Sequence, residues 1–206
     1  MPSPYSTKNL DNMTLANQIT LFRIALIPVF VIVFYLPYSW SYPVSAVIFG
    51  LAAITDWIDG YVARKYNQST AFGAFLDPVA DKLMVVVALV LLTSVHPSVW
   101  FAVPAAVIVG REIVISALRE WMAEMGARAS VAVSYIGKVK TTAQMASIIV
   151  LLAFNPNTQP IFTLFGSSVF MMCGFALLYT AATLTLWSMV LYIKAALPTL
   201  LAEDSK

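Results

Sequence analysis

The chain has 206 residues, of which 60% are apolar and only 11% are charged, well below the roughly 25% of charged residues in ordinary soluble domains. Its formal net charge of +2 is too small to indicate a nucleic-acid partner. A single cysteine, Cys173, excludes a disulfide framework and a thiolate zinc site, and because it lies in an apolar run we expect it to be a packing residue. The composition therefore predicts a helical membrane protein of one domain.

The predicted elements are six apolar spans that follow a polar N-terminal segment, 1–20. This segment has no charged region leading into a short apolar run, so we expect a juxtamembrane segment rather than a secretory signal. A membrane-spanning helix needs about 20 mostly apolar residues. The spans of this kind are 21–35, 44–66, 72–95, 100–124, 134–154 and 162–194. They predict an all-α, six-helix domain over 21–194, followed by a tail, 195–206.

The charged residues lie on one side of these spans. The connections 36–43, 96–99 and 155–160 contain no Asp, Glu, Lys or Arg. The positive-inside rule therefore places the charged side, with both termini and the tail, in the cytoplasm. His96 stands without a charged neighbour in an uncharged connection, and we expect it to have no catalytic role.

Four aspartates form two pairs in the second and third spans. Asp56 and Asp59 are three residues apart, and Asp77 and Asp81 are four apart, so each pair shares one face of a helix. A short connection brings the cytoplasmic ends of these two spans together. Four carboxylates at close range repel one another unless cations hold them, and oxygen ligands suit Mg²⁺ or Mn²⁺. The pattern predicts a metal site, of the kind in which two ions assist chemistry at phosphorus.

Structural roles for single aspartates stay open. Asp77 precedes Pro78 and could cap a helix. The first pair could form ion pairs with Arg64 or Lys82. For all four together these roles are less favoured, because ionisable groups inside membrane spans are costly and usually functional.

Basic residues in the fourth and fifth spans are candidates for binding an anionic group. Arg111 and Arg119 are eight residues apart, close to two helical turns, so both can face one cavity. Lys138 and Lys140 open the fifth span, and Arg23 lies in the first. Arginine and lysine bind phosphate, which favours this role for the five cations. Lys140 could instead extend towards anionic headgroups.

Two acidic residues, Glu112 and Glu120, each follow an arginine of the fourth span. They could pair with neighbouring cations, and the sequence indicates no further role for them.

The aspartate pairs and the small residues between them match a known signature, D-x2-D-G-x2-A-R-x8-G-x3-D-x3-D. Its positions are filled by Asp56, Asp59, Gly60, Ala63, Arg64, Gly73, Asp77 and Asp81. In this respect the chain resembles the CDP-alcohol phosphatidyltransferase family. The stretches that begin at Asn17, Arg111 and Gly137 resemble the bacterial branch of that family that makes phosphatidylglycerophosphate.

The resemblance implies a six-helix fold in the bacterial cytoplasmic membrane, a homodimer, and an active site open to the cytosol. It implies transfer of the phosphatidyl group of CDP-diacylglycerol to sn-glycerol 3-phosphate, with CMP as the second product. The family assigns two metal ions, Mg²⁺ or Mn²⁺, to Asp56, Asp59, Asp77 and Asp81. It makes Asp81 the group that takes the acceptor's proton. It assigns the nucleotide pocket to Asp56, Asp59, Gly60, Ala63, Arg64 and Gly73.

Two other functions stay open at this point. The first keeps the same chemistry with another acceptor, such as inositol phosphate, serine or phosphatidylglycerol, since the signature does not specify the alcohol. The second is a cation transporter or channel. That function is less favoured, because a permeation path needs polar groups through the whole membrane depth, whereas these groups gather at one end. No internal inverted repeat is visible either.

Overall fold

The computed structural model describes residues 15–66, 71–125, 135–154 and 167–203. Within these ranges, the side chains that are not described are those of 15–17, 56–66, 71–75, 77–78, 135–138, 167–168 and 198–203. The helices are α1 (Leu15–Phe34), α2 (Ser41–Tyr66), α3 (Ala71–Val95), α4 (Val99–Glu124), α5 (Tyr135–Ala153) and α6 (Ser167–Glu203). All regular structure in the described ranges is helical, which confirms the all-α prediction.

Each predicted span corresponds to one helix, but two helices extend more than three residues beyond their spans at one end. The first, α1, begins at Leu15, inside the predicted juxtamembrane segment, and α6 continues to Glu203, through most of the predicted tail. The reason is that hydropathy marks the apolar stretch, whereas a helix continues as long as good helix formers such as Ala and Leu follow.

Within the part of the chain whose side chains are described, two helices are long and apolar enough to cross a membrane, over Val99–Glu124 and Val169–Leu197. Shorter apolar helices cover Gln18–Phe34, Ser41–Thr55 and Val139–Ala153 among the described residues.

The chain divides into two compact units, Met1–Val87 and Ala88–Lys206, and α3 passes from one to the other. In the first unit α1 packs against α2. Aromatic side chains fill this contact: the ring centroids of Phe30 and Phe49 are 6.3 Å apart, and those of Phe34 and Tyr42 are 5.1 Å apart. Three of these rings, Phe30, Phe34 and Phe49, are almost completely buried, so they form the core of this unit.

In the second unit α4 and α5 both pack against α6. The approach of α5 to α6 is close at Gly174, where a Cβ atom would lie 2.7 Å from Cδ2 of Leu151. Ser147 of α5 also donates a hydrogen bond to the Gly174 carbonyl oxygen, at 2.8 Å. Glycine suits this point because any side chain would displace Leu151 or push the two helices apart.

The structure gives the surroundings of Cys173 and His96, two residues of the second unit for which the sequence predicted no chemical role. Cys173 is exposed on α6, so the prediction that it is a packing residue is wrong. Gly174 faces α5, and Cys173, which precedes it on the helix, therefore points away from α5. His96 is buried against the rings of Phe101 and Phe175, with centroids 5.5 Å and 5.9 Å away, which gives it a packing role.

Candidate functional site

The second unit contains a group of charged and polar side chains, which we call the cation cluster. It is contributed by α4, α5 and α6 and consists of Arg111, Glu112, Arg119, Lys140, Ser188 and Tyr192. The first part of this cluster is a set of hydrogen bonds around Arg111. Its Nη1 donates to Oε1 of Glu112 at 3.0 Å, and its Nη2 donates to Oγ of Ser188 at 3.1 Å. Ser188 in turn donates to the carbonyl oxygen of Thr185, at 2.9 Å.

Lys140 joins the cluster from α5. Its Nζ donates to the same oxygen of Glu112, at 2.6 Å. Only 3% of the Lys140 side chain is exposed, so it does not extend to lipid headgroups. The prediction that Glu112 pairs with neighbouring cations is therefore confirmed, and one carboxylate oxygen connects α4 to α5.

Tyr192 of α6 brings the second arginine of α4 into the cluster. The guanidinium carbon of Arg119 lies 5.2 Å from the centroid of the Tyr192 ring, and that of Arg111 lies 5.6 Å from it. Arg119 Nη2 also donates a hydrogen bond to the phenol oxygen, at 3.0 Å. Cations at these distances are attracted to the ring face, so one tyrosine holds both arginines.

Helix periodicity explains why these residues meet. Positions 111, 115, 119 and 122 follow one side of α4, because a helix repeats every 3.6 residues. The apolar members of that row, Ile115 and Met122, pack with Tyr192 and Ala196 of α6 in a buried cluster. Burial of this apolar row fixes the side of α4 that faces α6, and the two arginines on the same side follow.

The charge of the cation cluster is unbalanced. Arg111 is 7% exposed and Lys140 is 3% exposed, whereas Arg119 is exposed. The cluster contains three cations and one carboxylate, a formal excess of two positive charges, although only Arg111 and Lys140 contact Glu112. One positive charge is therefore buried without a counter-ion, which is costly. The cluster thus favours an anionic ligand, to which Arg119 gives an accessible side.

A second set of buried polar atoms lies one helical turn from the cluster. Gln144 follows Lys140 by four residues on α5, and Thr185 precedes Ser188 by three on α6. Gln144 is 3% exposed and Thr185 is fully buried. Neither Oε1 of the glutamine nor Oγ1 of the threonine has a hydrogen-bond partner among the described residues.

The structure thus brings together three of the five predicted phosphate-binding cations. Lys138 lies on α5, but its side chain is outside the described ones. Arg23 belongs to the first unit, where it is 1% exposed and lies one turn after the buried Thr20 on α1.

The predicted metal ligands belong to the first unit. Asp56 and Asp59 lie three residues apart on α2, and Asp77 and Asp81 lie four residues apart on α3, so helix register keeps each pair on one side. Asp81 is half-buried, and the other three side chains are outside the described ones. Among the described side chains, no three His, Cys, Asp or Glu lie close enough together to hold a metal ion. A set made only of carboxylates suits Mg²⁺ or Mn²⁺ in its chemistry.

Two residues of the cluster, Ser188 and Tyr192, are absent from the sequence predictions. A signal for them exists, because Thr185, Ser188 and Tyr192 recur at three- and four-residue spacing in a largely apolar helix. This spacing puts the three side chains on one face, and Ser188 and Tyr192 on that face contact arginines of α4.

Long apolar helices indicate a helical membrane protein, and the buried cations among them favour an anionic ligand. The family model described as CDP-alcohol phosphatidyltransferase matches residues 13–191, and the chain belongs to this family.

Several curated relatives have a more specific name. A protein of Salmonella paratyphi A is 58% identical over 178 residues, which are 86% of this chain and 92% of the relative. A protein of Escherichia coli K12 is 56% identical over 185 residues, which are 90% of this chain and 96% of the relative. Both are named CDP-diacylglycerol--glycerol-3-phosphate 3-phosphatidyltransferase. The family resemblance found in the sequence is thereby confirmed.

Proposed function

We propose that the chain is an enzyme of phospholipid biosynthesis that transfers the phosphatidyl group of CDP-diacylglycerol to sn-glycerol 3-phosphate. The products are phosphatidylglycerophosphate and CMP. The names of relatives that are 56% and 58% identical support this reaction. The observation that favours a phosphorylated acceptor over serine is the excess of two positive charges in the cation cluster, and the relatives' names favour glycerol 3-phosphate among phosphorylated alcohols. A phosphate monoester brings roughly −1.5 to −2 charges at neutral pH, whereas serine brings no such group.

The cation cluster would hold the acceptor by its phosphate. Arg119 is exposed and can meet a ligand from solution, and Lys140 and Arg111 supply further N–H donors. Arginine can bind phosphate through two parallel hydrogen bonds. Fixing the phosphate leaves the acceptor hydroxyl with few orientations, and such alignment supplies a large part of the rate enhancement in bimolecular reactions.

The reaction itself is a displacement at the phosphorus of the phosphatidyl group. The acceptor's hydroxyl oxygen forms a bond to this phosphorus, the bond from the phosphorus to the bridging oxygen breaks, and CMP leaves with the electron pair. We propose that Asp81 accepts the hydroxyl proton, in line with general base catalysis. Asp56, Asp59, Gly60, Ala63, Arg64 and Gly73 are proposed to contact the CDP part of the donor.

The four signature aspartates, Asp56, Asp59, Asp77 and Asp81, are the proposed ligands of two divalent ions, Mg²⁺ or Mn²⁺. Such ions, when bound, neutralise negative charge on a diphosphate. The support for this proposal is the register of the two pairs on α2 and α3 and the purely carboxylate donor set.

The chain is a membrane protein, and we propose six membrane spans with both termini in the bacterial cytoplasm. The support is the absence of Asp, Glu, Lys and Arg from three alternate connections. A homodimer, as the family resemblance implies, is part of the same proposal. Single cysteines at Ser98 and Ser69, introduced with Cys173→Ser, test the topology. Ser98 should label from outside intact cells and Ser69 should not, and the reverse pattern would contradict it.

An assay of the purified protein tests the reaction. CDP-diacylglycerol is supplied with labelled glycerol 3-phosphate, inositol phosphate, serine or phosphatidylglycerol in turn. We expect transfer to glycerol 3-phosphate to exceed the others by at least about tenfold. A clear preference for another alcohol would refute the proposed acceptor and leave the transferase chemistry in place.

Two variants separate chemistry from binding in the same assay. Asp81→Asn should lower kcat by roughly 10² to 10⁴ fold, the usual contribution of a general base. Arg119→Ala should chiefly raise the KM for glycerol 3-phosphate, because a phosphate remote from the reacting hydroxyl is held alike in the ground and transition states. With plain glycerol, Arg119→Ala should be no worse than the wild type. Equal losses with both acceptors would exclude phosphate binding by Arg119.

A further inference from the structure

Glu112 is the acidic member of the cation cluster, and a single one of its oxygens joins two helices. Oε1 accepts a hydrogen bond from Nη1 of Arg111 at 3.0 Å and from Nζ of Lys140 at 2.6 Å. Because both bonds end on the same atom, the position of Oε1 fixes the separation between a cation of α4 and a cation of α5.

The other contacts of Arg111 make this arrangement rigid. Its Nη2 is held by Ser188, and the Ser188 hydroxyl donates its own hydrogen to the Thr185 carbonyl oxygen. Ser188 therefore acts as an acceptor towards Arg111. The guanidinium is thus held at both terminal nitrogens, by α4 through Glu112 and by α6 through Ser188.

Stability alone is a poor explanation for this ion-paired group. Arg111 is 7% exposed, Lys140 is 3% exposed and Glu112 is 20% exposed. Well-packed apolar residues are often as stabilising as a buried ion pair or more so. Ionisable groups inside apolar helices usually have a functional role instead.

We propose that Glu112 is a positioning residue for the acceptor phosphate. It sets the spacing and orientation at which Arg111 and Lys140 offer their remaining N–H donors, and it does not itself contact the acceptor. This inference rests on the proposed function, in which these two cations bind the phosphate of glycerol 3-phosphate. It adds a residue that determines the preference for a phosphorylated alcohol over an unphosphorylated one.

The decisive variant is Glu112→Asp, which keeps the negative charge and withdraws the carboxylate by about one carbon–carbon bond, ~1.5 Å. A carboxylate in that position cannot accept both hydrogen bonds without moving one cation. A misplacement of about 1 Å can cost up to about 100-fold in rate. We expect the KM for glycerol 3-phosphate to rise about tenfold, while the KM for CDP-diacylglycerol changes less than about twofold. Activity with plain glycerol should stay at the wild-type level.

The second variant, Glu112→Gln, keeps an oxygen at the same reach and removes the charge. Loss of charge weakens the two hydrogen bonds, but it also removes a negative group that repels phosphate. Because these effects oppose each other, we expect a smaller rise in the KM for glycerol 3-phosphate than with Glu112→Asp. Matched controls are Glu120→Asp and Glu120→Gln. Glu120 follows Arg119 as Glu112 follows Arg111, but it is exposed on α4.

The wild type is assayed first, because the two proposals fail at different steps. A wild type that does not use glycerol 3-phosphate refutes the proposed function before any variant is compared. If the wild type is active, the positioning role predicts the highest KM for glycerol 3-phosphate in Glu112→Asp and a smaller rise in Glu112→Gln. The Glu120 variants should have the KM of the wild type.

Three results would overturn the positioning role. The first is a KM for glycerol 3-phosphate within about twofold of wild type in Glu112→Asp. The second is an equal loss of activity with glycerol and glycerol 3-phosphate, which indicates a structural role. The third is a larger KM effect in Glu112→Gln, which indicates a counter-charge. If Glu112→Asp does not accumulate in the membrane, Glu112→Gln decides, and an unchanged KM for glycerol 3-phosphate overturns the proposal.

Discussion

Tyr192 offers a sharp test of the cation cluster, because its hydroxyl and its ring make separable contacts. The hydroxyl oxygen accepts a hydrogen bond from Arg119 at 3.0 Å, and the ring lies 5.2 Å and 5.6 Å from the guanidinium carbons of Arg119 and Arg111. Tyr192→Phe removes only the hydroxyl. Tyr192→Leu also removes the aromatic face, while it keeps an apolar side chain in the buried cluster around Ile115.

The size of each effect follows from these contacts. A buried hydrogen bond to a charged group contributes about 1.5–3 kcal/mol, but this one contributes less because Arg119 is exposed and water can replace the phenol. We take about 1 kcal/mol, which corresponds to roughly a fivefold rise in the KM for glycerol 3-phosphate. Two cation–π contacts add about 0.5–1 kcal/mol each. Tyr192→Leu should therefore cost about 2–3 kcal/mol and raise this KM by roughly 30- to 150-fold.

The assay measures the KM for each substrate in detergent or reconstituted vesicles, together with the melting temperature of each variant. Tyr179→Phe is the matched control, since the Tyr179 hydroxyl also links α6 to α4, by donating to the Trp100 carbonyl oxygen at 2.7 Å, but outside the cluster. It should leave the KM values unchanged. Equal KM values for Tyr192→Phe and Tyr192→Leu would refute the role of the ring, and a matching rise in the KM for CDP-diacylglycerol would refute a specific effect on the acceptor.

Three further predictions concern metal ions, helix packing and pH. Chelation of divalent cations should abolish transfer, and Mg²⁺ or Mn²⁺ should restore it; full activity in EDTA would contradict the metal proposal. Gly174→Ala should lower the melting temperature, by overpacking of about 1–3 kcal/mol against the buried Leu151. At Gly110 an added Cβ meets no atom within 4 Å, so Gly110→Ala should raise the stability of the protein by about 0.5–1 kcal/mol. Equal changes in melting temperature for Gly110→Ala and Gly174→Ala would contradict the close packing at Gly174. Burial lowers the pKa of His96 below its ordinary value of 6.5, so the unfolded chain binds the proton first and stability should fall as the pH drops below 6.5. His96→Leu should lose less stability than the wild type between pH 7 and pH 5, and identical pH profiles would contradict this.

The positions of the helices could be predicted from the sequence, because an apolar stretch of membrane length has few alternatives to a helix. The ends were less predictable. Leu15 and Glu203 extend their helices beyond the apolar stretches, since helix formation does not require an apolar environment.

The candidate site was predictable only in part. Arg111 and Arg119 share a face of α4 by spacing alone, and the structure confirms that both lie over one ring. The identity of that ring was not predictable, because Tyr192 is 73 residues after Arg119 and the contact depends on how α6 packs against α4. From the sequence alone, Lys140 could either bind phosphate or extend towards lipid headgroups. The choice between them depends on Glu112, a partner on another helix.

The charged residues of the second unit indicate function more clearly than its apolar residues do. Apolar side chains in the three helices of the second unit could be exchanged for one another at small cost, because volume-conserving apolar changes are well tolerated. Arg111, Glu112 and Lys140 have no such freedom, since removing one charge leaves another buried without its partner. Positions that break the rule of an apolar membrane helix, and that are also held in a defined geometry, are where function is expected. Among the described side chains of the second unit, those positions form the cation cluster, with a formal excess of two positive charges that a phosphorylated acceptor would neutralise.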